Sequence, residues 1–496
     1  MVARLPKYGE FDPVEENLQT NRNRAECCQI SQEHEPMNRK RGKKAGTEQQ
    51  DWSLNLDIVH PNAAGIDIGN ESHYVAVPPG LDPSPVRQFA CFTEDLHHLA
   101  DWLKSLGIDT VAMQSTGVYW LPVFEILTEK GLEVFLVNAR HTKNLPGRKT
   151  DVQECQWLLQ LHTFGLLNNS FRPPEEICVL RAYWRQRSEH VASASACIQR
   201  MQKVLTEMNV QLANVISDIS GVTGLAIIQA ILDGERDRYK LADLADVRIQ
   251  ATREEIARSL EGNWRKELLF ILQQERNLYR IYQQQIAECD TELAAHFETL
   301  DDKSEPGSQP PAAKANKRAG GNAPTSFDLR GELYRISGTD LTQIDGINIM
   351  NAQTIIAEVG IDMSRFPSEA HFASFLGLCP DNQITGGKVL RRGTRHVENR
   401  AATALRMAAT SLWRSKTYLG AKFRRLRARL GAPKAITAMA HMLARLVYRM
   451  LRYGEQYMDK GMKYYEEKYR AHEIHNIQKK AKELGLAVIL TPAVAE

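Results

Sequence analysis

The alternation of apolar and polar residues divides the chain into zones of different texture. Residues 1–58 are polar, rich in Glu, Gln and Asn, with a basic knot "RKRGKK" at 39–44, and predict a disordered arm. From residue 63, "AAGIDIGN" and "HYVAVPP" are short apolar runs around a polar turn, the signal of a hairpin, and "VRQFACF" predicts a third strand. "TEDLHHLADWLKSLG" opens on Thr93 with acids in its first turn and closes on Gly107, which predicts a capped helix. "TVAMQSTG" then reads as a fourth strand, "VYWLPVFEILTEKG" as a helix and "EVFLVNA" as a fifth strand. In "DVQECQWLLQLHTFG" apolar residues recur every three or four positions, as in a helix. Three strands in succession, followed by strand, helix, strand and helix, predict an α/β domain with a mixed sheet over residues 59–170.

Residues 171–300 are almost wholly helical in pattern. "RKELLFILQQERNLYRIYQQQIAECDTELAAHF" sets Leu268, Ile271, Leu278, Tyr282, Ile286, Cys289 and Leu293 along one stripe, as expected of a coiled-coil or bundle helix. Residues 301–326 are rich in Pro, Gly, Ala and Ser and read as a flexible linker. A second, mainly helical region spans 327–480, and 481–496 form a tail. In that region "QIDGINIMNAQTIIAEVG" has the form of a helix-hairpin-helix centred on Gly346, a weak pattern because many helical turns contain Gly.

Composition narrows the class. The 496 residues are ample for two or three domains, and no apolar run approaches the length of a membrane span. The first residues lack the apolar core of a secretory signal. Eight cysteines without a CxxC pair argue for reduced cytoplasmic thiols and against structural zinc. A net charge of only +3 says little about nucleic acid, but its arrangement says more. Lys422, Arg424, Arg425, Arg427, Arg429, Lys434, Arg445, Arg449 and Arg452 place nine cations in 31 residues without one acid. A solvated face is the usual meaning of a charge run; here the density, with apolar residues interleaved at helical spacing, favours nucleic acid.

The candidate chemistry follows. The order of elements matches the ribonuclease H-like scaffold. Asp67 lies in the first strand, Gln114 ends the fourth, and Asp151 and Glu154 share a face at the start of the helix after the fifth. In that scaffold these positions converge, and carboxylates there would hold Mg²⁺ for phosphoryl transfer. The alternative is that Asp151 simply caps its helix. A second constellation is "DNQITGGKVLRRGTRHVENR": Thr385 precedes Gly386 and Gly387, and Lys388, Arg391, Arg392 and Arg395 follow. Such a hydroxyl among cations can attack a phosphodiester, or the loop can bind backbone phosphate and nothing more. The turn at Gly346 offers a further phosphate site at a helix N-terminus.

"GIDIG", "MQSTGVYW", "GRKTDVQECQWLLQLHTFGLL", "LCPDNQITGGKVL" and "RARLGAPKAITAMAHMLARLVYRML" occur in colinear order. On these motifs the chain resembles the DEDD transposases of the IS110 family, eleven-eleven subgroup, relatives of the Piv-type DNA invertases. The resemblance implies a RuvC-like domain, a helical coiled-coil region and a carboxy-terminal transposase domain with a hydroxyl nucleophile. It also implies Mg²⁺, donor and target DNA, an element-encoded bridge RNA, a tetrameric assembly built as a dimer of dimers, and a location on the bacterial nucleoid. By resemblance Asp67, Gln114, Asp151 and Glu154 fall on the four DEDD positions, and Thr385 on that of the catalytic serine. Three residues depart from the family pattern: Gln114 replaces Glu, Glu154 replaces Asp, and Thr385 replaces Ser. Gln114 is the serious departure, because an amide keeps a ligating oxygen but loses a charge; Glu71 and Glu125 are nearby carboxylates that would compensate. Two other classes remain open: a RuvC-like metal-dependent endonuclease that uses water, and a nucleic-acid-binding protein catalytically impaired by Gln114.

Overall fold

A computed structural model describes residues 57–114, 117–138, 150–313, 322–395, 397–454, 457, 459 and 461–486. Residues 1–56 of the expected polar arm, with its basic knot, and most of the expected tail therefore lie outside the described residues. The described residues fall into two compact units that divide between Ser170 and Phe171.

The first unit runs β1 (Ala63–Ile68), β2 (Ser72–Ala76), β3 (Val86–Ala90), α1 (Thr93–Ser105), β4 (Thr110–Gln114), α2 (Trp120–Glu129), β5 (Glu133–Val137) and α3 (Asp151–Thr163). Its sheet has the order β3-β2-β1-β4-β5, antiparallel across β1, β2 and β3 and parallel across β1, β4 and β5. This is the mixed sheet that the order of apolar runs predicts. Strands β1 and β4 are near-continuously apolar because helices cover both their faces. On one face Ile66, Val111 and Met113 pack against Leu99 and Leu103 of α1 and Val123 and Leu127 of α2. On the other, Ala63 and Ala112 pack against Cys155, Leu158 and Leu159 of α3. One expectation is corrected here. Phe92, not Thr93, is the N-cap of α1, and no side chain caps that end.

At the far end of α3, His162 is buried among Thr110, Phe135 and His60, whose ring stacks on it at 4.5 Å. The Thr110 hydroxyl donates to the Glu133 carbonyl, so it must accept from His162 Nε2 at 2.9 Å, which leaves Nδ1 as the unprotonated nitrogen. Burial first, and the His60 charge second, push the His162 pKa down to about 4. An unfolded imidazole titrates near 6.5. Between these values the unfolded chain binds a proton that the folded chain refuses, so His162 draws stability down as pH falls from above 6.5 towards 4. Melting temperatures measured from pH 7.5 to 4.5 should fall less steeply for His162→Gln than for the native chain. An unchanged slope would show that His162 is not buried neutral.

The second unit opens with α4 (Glu175–Glu207), continues through α5 (Val222–Leu232), α6 (Arg238–Ala242) and α7 (Arg253–Ser259), and returns along α8 (Lys266–Glu298). Helices α4 and α8 are antiparallel. Leu180 and Trp184 share a core with Leu293 and Phe297, whereas Met201 and Val204 share another with Leu268 and Leu272. The expected apolar stripe is only partly used: Leu268 and Leu293 are buried, but Ile271 and Leu278 are exposed. A buried ion pair between Arg187 and Asp290 ties the two helices.

Next come α9 (Leu329–Ser337), α10 (Ile349–Val359), α11 (Glu369–Phe375), the hairpin β6 (Gln383–Thr385) and β7 (Lys388–Arg391), α12 (Arg400–Ser411), α13 (Tyr418–Leu430), α14 (Ala432–Tyr453) and α15 (Gly461–Glu483). Helix α4 docks onto this part: Arg185 grips the Glu358 carboxylate with two hydrogen bonds, and Trp184 donates to Thr354. In the stretch that composition reads as a linker, the Pro311 and Ala312 carbonyls accept from Arg330 and Gln343. Among the described residues no helix is long and apolar enough to cross a membrane.

Candidate active site

The Gly in "AAGIDIG" fixes the distance between sheet and helix. A Cβ on Gly65 would stand 2.3 Å from the Cys155 carbonyl oxygen and 2.4 Å from the Leu159 nitrogen, both backbone atoms of α3. The helix therefore lies directly on β1. Asp67 is two residues beyond Gly65 and on the same face. The parallel register pairs Ile66 with Met113, and one further step sets Asp67 beside Gln114, which is itself paired with Val137 of β5. Gln114 is 5% exposed and Asp67 half-buried.

Helix α3 starts at Asp151. Its N-cap is Thr150, in a reciprocal capping box with Gln153, so Asp151 is not the cap that the sequence left as an alternative. Asp151 is exposed, Glu154 half-buried, and Cys155 buried against the sheet. The Cys155 thiol reports on its surroundings. Burial pushes its pKa up to about 12, and the negative charges of Asp67 and Asp151 both add to the rise. A carboxylate from the strand and one from the helix thus both add negative charge around the same sulfur atom. Glu125 lies on α2, which packs on the opposite face of the sheet from Gln114.

The donor set suits a hard divalent cation, since carboxylate and amide oxygens are the ligands such ions take. It is not a ready-made cage: among the described residues no three His, Cys, Asp or Glu side chains gather closely enough to hold a metal. Mg²⁺ normally keeps several waters and takes only one or two protein carboxylates together with substrate phosphate, so an incomplete set fits that ion.

Thr385 lies in the second unit. It closes the β6–β7 ladder opposite Lys388, with Gly386 and Gly387 as the two-residue turn. Their φ values of +56° and +78° are those of the hairpin turn that strongly prefers glycine. The loop that the sequence reads as glycine-rich and basic is therefore a defined hairpin, exposed along its length. The Arg395 guanidinium donates to the Ser374 carbonyl at the hairpin's base. Among the described residues no side chain is hydrogen-bonded to the Thr385 hydroxyl, so a base, if one acts, comes from elsewhere.

The remaining candidates separate by what they touch. Gly346, with φ +89°, lies where a Cβ would stand 2.6 Å from the Ala408 carbonyl of α12, a packing reason for glycine that the sequence reading lacks. Arg445 and Arg449 both bind Glu369 of α11. Burial works to raise the Glu369 pKa, but the hydrogen bonds from the two arginines outweigh it and hold it low. Arg424 donates to the Ser415 carbonyl at 2.6 Å. Lys422 is half-buried, and burial, with Arg445 and Lys468, lowers its pKa. Arg425 covers the Tyr469 ring and Arg427 that of Trp413, at 3.5 and 3.9 Å. The basic run is thus not one solvated face, and its aromatic partners, distant in sequence, are what the sequence reading missed.

The sheet order, with Asp67 and the amide Gln114 side by side on adjacent strands and acids at the head of α3, defines a RuvC-like domain. Residues 64–210 match the DEDD transposase model of the IS110 type, and residues 338–424 match the model described as transposase, IS116/IS110/IS902 family. The chain is a DEDD transposase of the IS110 family, a DNA recombinase. No curated protein matches it. Domains of this type typically use a divalent metal, and as a transposase the protein acts on DNA.

Proposed function

We propose that the protein moves an insertion sequence through a covalent protein–DNA intermediate, with Thr385 as the nucleophile. The observation that carries this reading is a hydroxyl at the tip of an exposed two-glycine turn, paired across the ladder with Lys388. Thr385 Oγ attacks the phosphorus, the bond to the 3′-oxygen breaks, and the freed 3′-hydroxyl takes up a proton. The 3′-hydroxyl of a second DNA end then attacks the phosphothreonine, returning the Thr385 hydroxyl. One phosphodiester replaces another, so no nucleotide triphosphate is consumed. Lys388, Arg391 and Arg392 balance the charge that builds on the phosphate oxygens.

Asp67, Gln114, Asp151 and Glu154 would hold Mg²⁺, which would supply charge stabilisation for phosphoryl transfer. The two cation–ring pairs, Arg425–Tyr469 and Arg427–Trp413, put planar groups beside cations, which supports a single-stranded partner such as an element-encoded bridge RNA. Tetrameric assembly, the eleven-eleven subgroup and kinship with the Piv-type invertases belong to the same reading.

That no side chain among the described residues is hydrogen-bonded to the Thr385 hydroxyl favours a second reading, a resolvase-like nuclease in which water attacks and Thr385 only binds phosphate. Trapping separates the two. Protein co-expressed with the non-coding DNA flanking its gene is mixed with labelled element-junction DNA and Mg²⁺, then run on a denaturing gel. A covalent band supports the transposition mechanism; cleavage without a band supports the nuclease. Binding without either points to Gln114 as the cause.

Gln114 has its own test. Gln114→Glu restores a charge in a nearly buried position, where an unpaired carboxylate is unfavourable and a metal relieves it. The Mg²⁺ concentration for half-maximal cleavage should fall on the order of tenfold. An unchanged titration would show that charge at 114 does not matter.

A further inference from the structure

The β6–β7 hairpin carries three large apolar side chains that the reaction outlined above does not use. Ile384 is 61% exposed, Val389 39% and Leu390 70%. The ladder sorts them. Thr385 pairs with Lys388 and Ile384 with Val389, so the apolar pair lies on the face opposite the hydroxyl. Gln383 then pairs with Arg391, which leaves Leu390 as the extra residue of a bulge. A two-stranded hairpin is at best marginal in water, and an uncovered apolar face makes it more so. Among the described residues no atom beyond the chain neighbours lies within 4 Å of a Cβ built on Gly386 or Gly387, so the tip stands clear.

We propose that the apolar pair and the adjoining bulge form a wedge for DNA: Ile384 and Val389 on one face, with Leu390 at the bulge beside them, press between bases at the cut site while the opposite face presents Thr385 to the phosphate. The inference rests on Thr385 being the nucleophile. Charge decides the occupant. Residues 381–395 carry Lys388, Arg391, Arg392 and Arg395 against the single acid Asp381. A protein covering the apolar face would have to desolvate or pair those cations, whereas a phosphate backbone neutralises them as the bases meet the apolar groups. Apolar side chains flanked by cations are the means by which proteins unstack a base step, at a cost of a few kcal/mol that the added contacts offset. An unstacked step loosens the backbone beside the scissile phosphate, which an exposed, sterically hindered threonine needs for in-line approach.

The probe is an element-junction duplex, and the readout is permanganate oxidation of thymines, which reports unstacking without any cleavage. Native protein and Thr385→Ala should both produce hyperreactive thymines next to the cut. Leu390→Ser and Ile384→Ser should lose that signal and cut at least about tenfold more slowly, with duplex binding within about threefold of native. A mismatch placed at the unstacked step should restore cleavage by Leu390→Ser. Thymine hyperreactivity that survives in both serine variants overturns the wedge. So does a change in the oligomeric state of the DNA-free protein on Leu390→Ser, which would make a second copy the occupant. An adduct that persists in Thr385→Ala sinks the nucleophile assignment alone, because the thymine signal still decides on the wedge.

Discussion

Thr385→Ala is expected to abolish the covalent protein–DNA complex, a loss of at least about a thousandfold, the scale seen when a nucleophile is removed. Thr385→Ser should retain the complex and form it faster, because it keeps the oxygen and removes the methyl group that crowds the approach. Neither change should move the melting temperature noticeably: position 385 is exposed, and surface substitutions are usually within about 0.5 kcal/mol. Stability and chemistry therefore separate cleanly at this residue. An adduct that forms undiminished with alanine would remove Thr385 from the reaction and leave the hydroxyl as a phosphate contact.

The second large effect is expected at Gly65, which touches no substrate. Gly65→Ala drives a methyl group into the Cys155 carbonyl and the Leu159 amide, and neither backbone atom can swing aside as a flexible side chain would. The helix must move away from β1, at about 1–3 kcal/mol or more for overpacking. Because α3 carries Asp151 and Glu154, the displacement also opens the distance from those acids to Asp67. DNA cleavage should therefore fall sharply at temperatures where circular dichroism shows the variant still folded. Native-like melting together with native-like cleavage would mean that α3 does not rest on β1 as closely as described.

Much of the placement of the candidate carboxylates was legible in sequence because burial on both faces writes strands such as β4 as unbroken apolar runs. The polar residue ending such a run, Gln114, announces itself. The head of α3 was legible too, through Thr150 and Gln153, although the reading left open a capping role for Asp151 that Thr150 performs. What failed were features decided by distant partners. Thr93 is a good capping residue, yet the chain enters α1 through Phe92. Gly346 looked like a turn open to phosphate, but the constraint on it is the Ala408 carbonyl on another helix. Nothing in the cation run shows that Glu369, far away in sequence, takes Arg445 and Arg449. The paired glycines at 386 and 387 did carry the hairpin signal, but the short, wholly exposed flanks gave no alternation to support it.

The antiparallel pair α4 and α8 has a consequence for how this protein can vary in length. Each helix has 33 residues, or roughly 50 Å at 1.5 Å per residue, with one apolar core at each end. The core at the Trp184 end fixes the rotational phase of both helices, and that phase is handed rigidly to the far end. A single residue inserted into one helix would turn everything beyond it by about 100° and advance it 1.5 Å, breaking register with the other strand of the stalk. Seven residues added to both helices at once would bring the far core back to nearly the same azimuth, only farther out. Length along this stalk is thus quantised by helical geometry, and the end it carries can be moved outward in steps without being re-aimed.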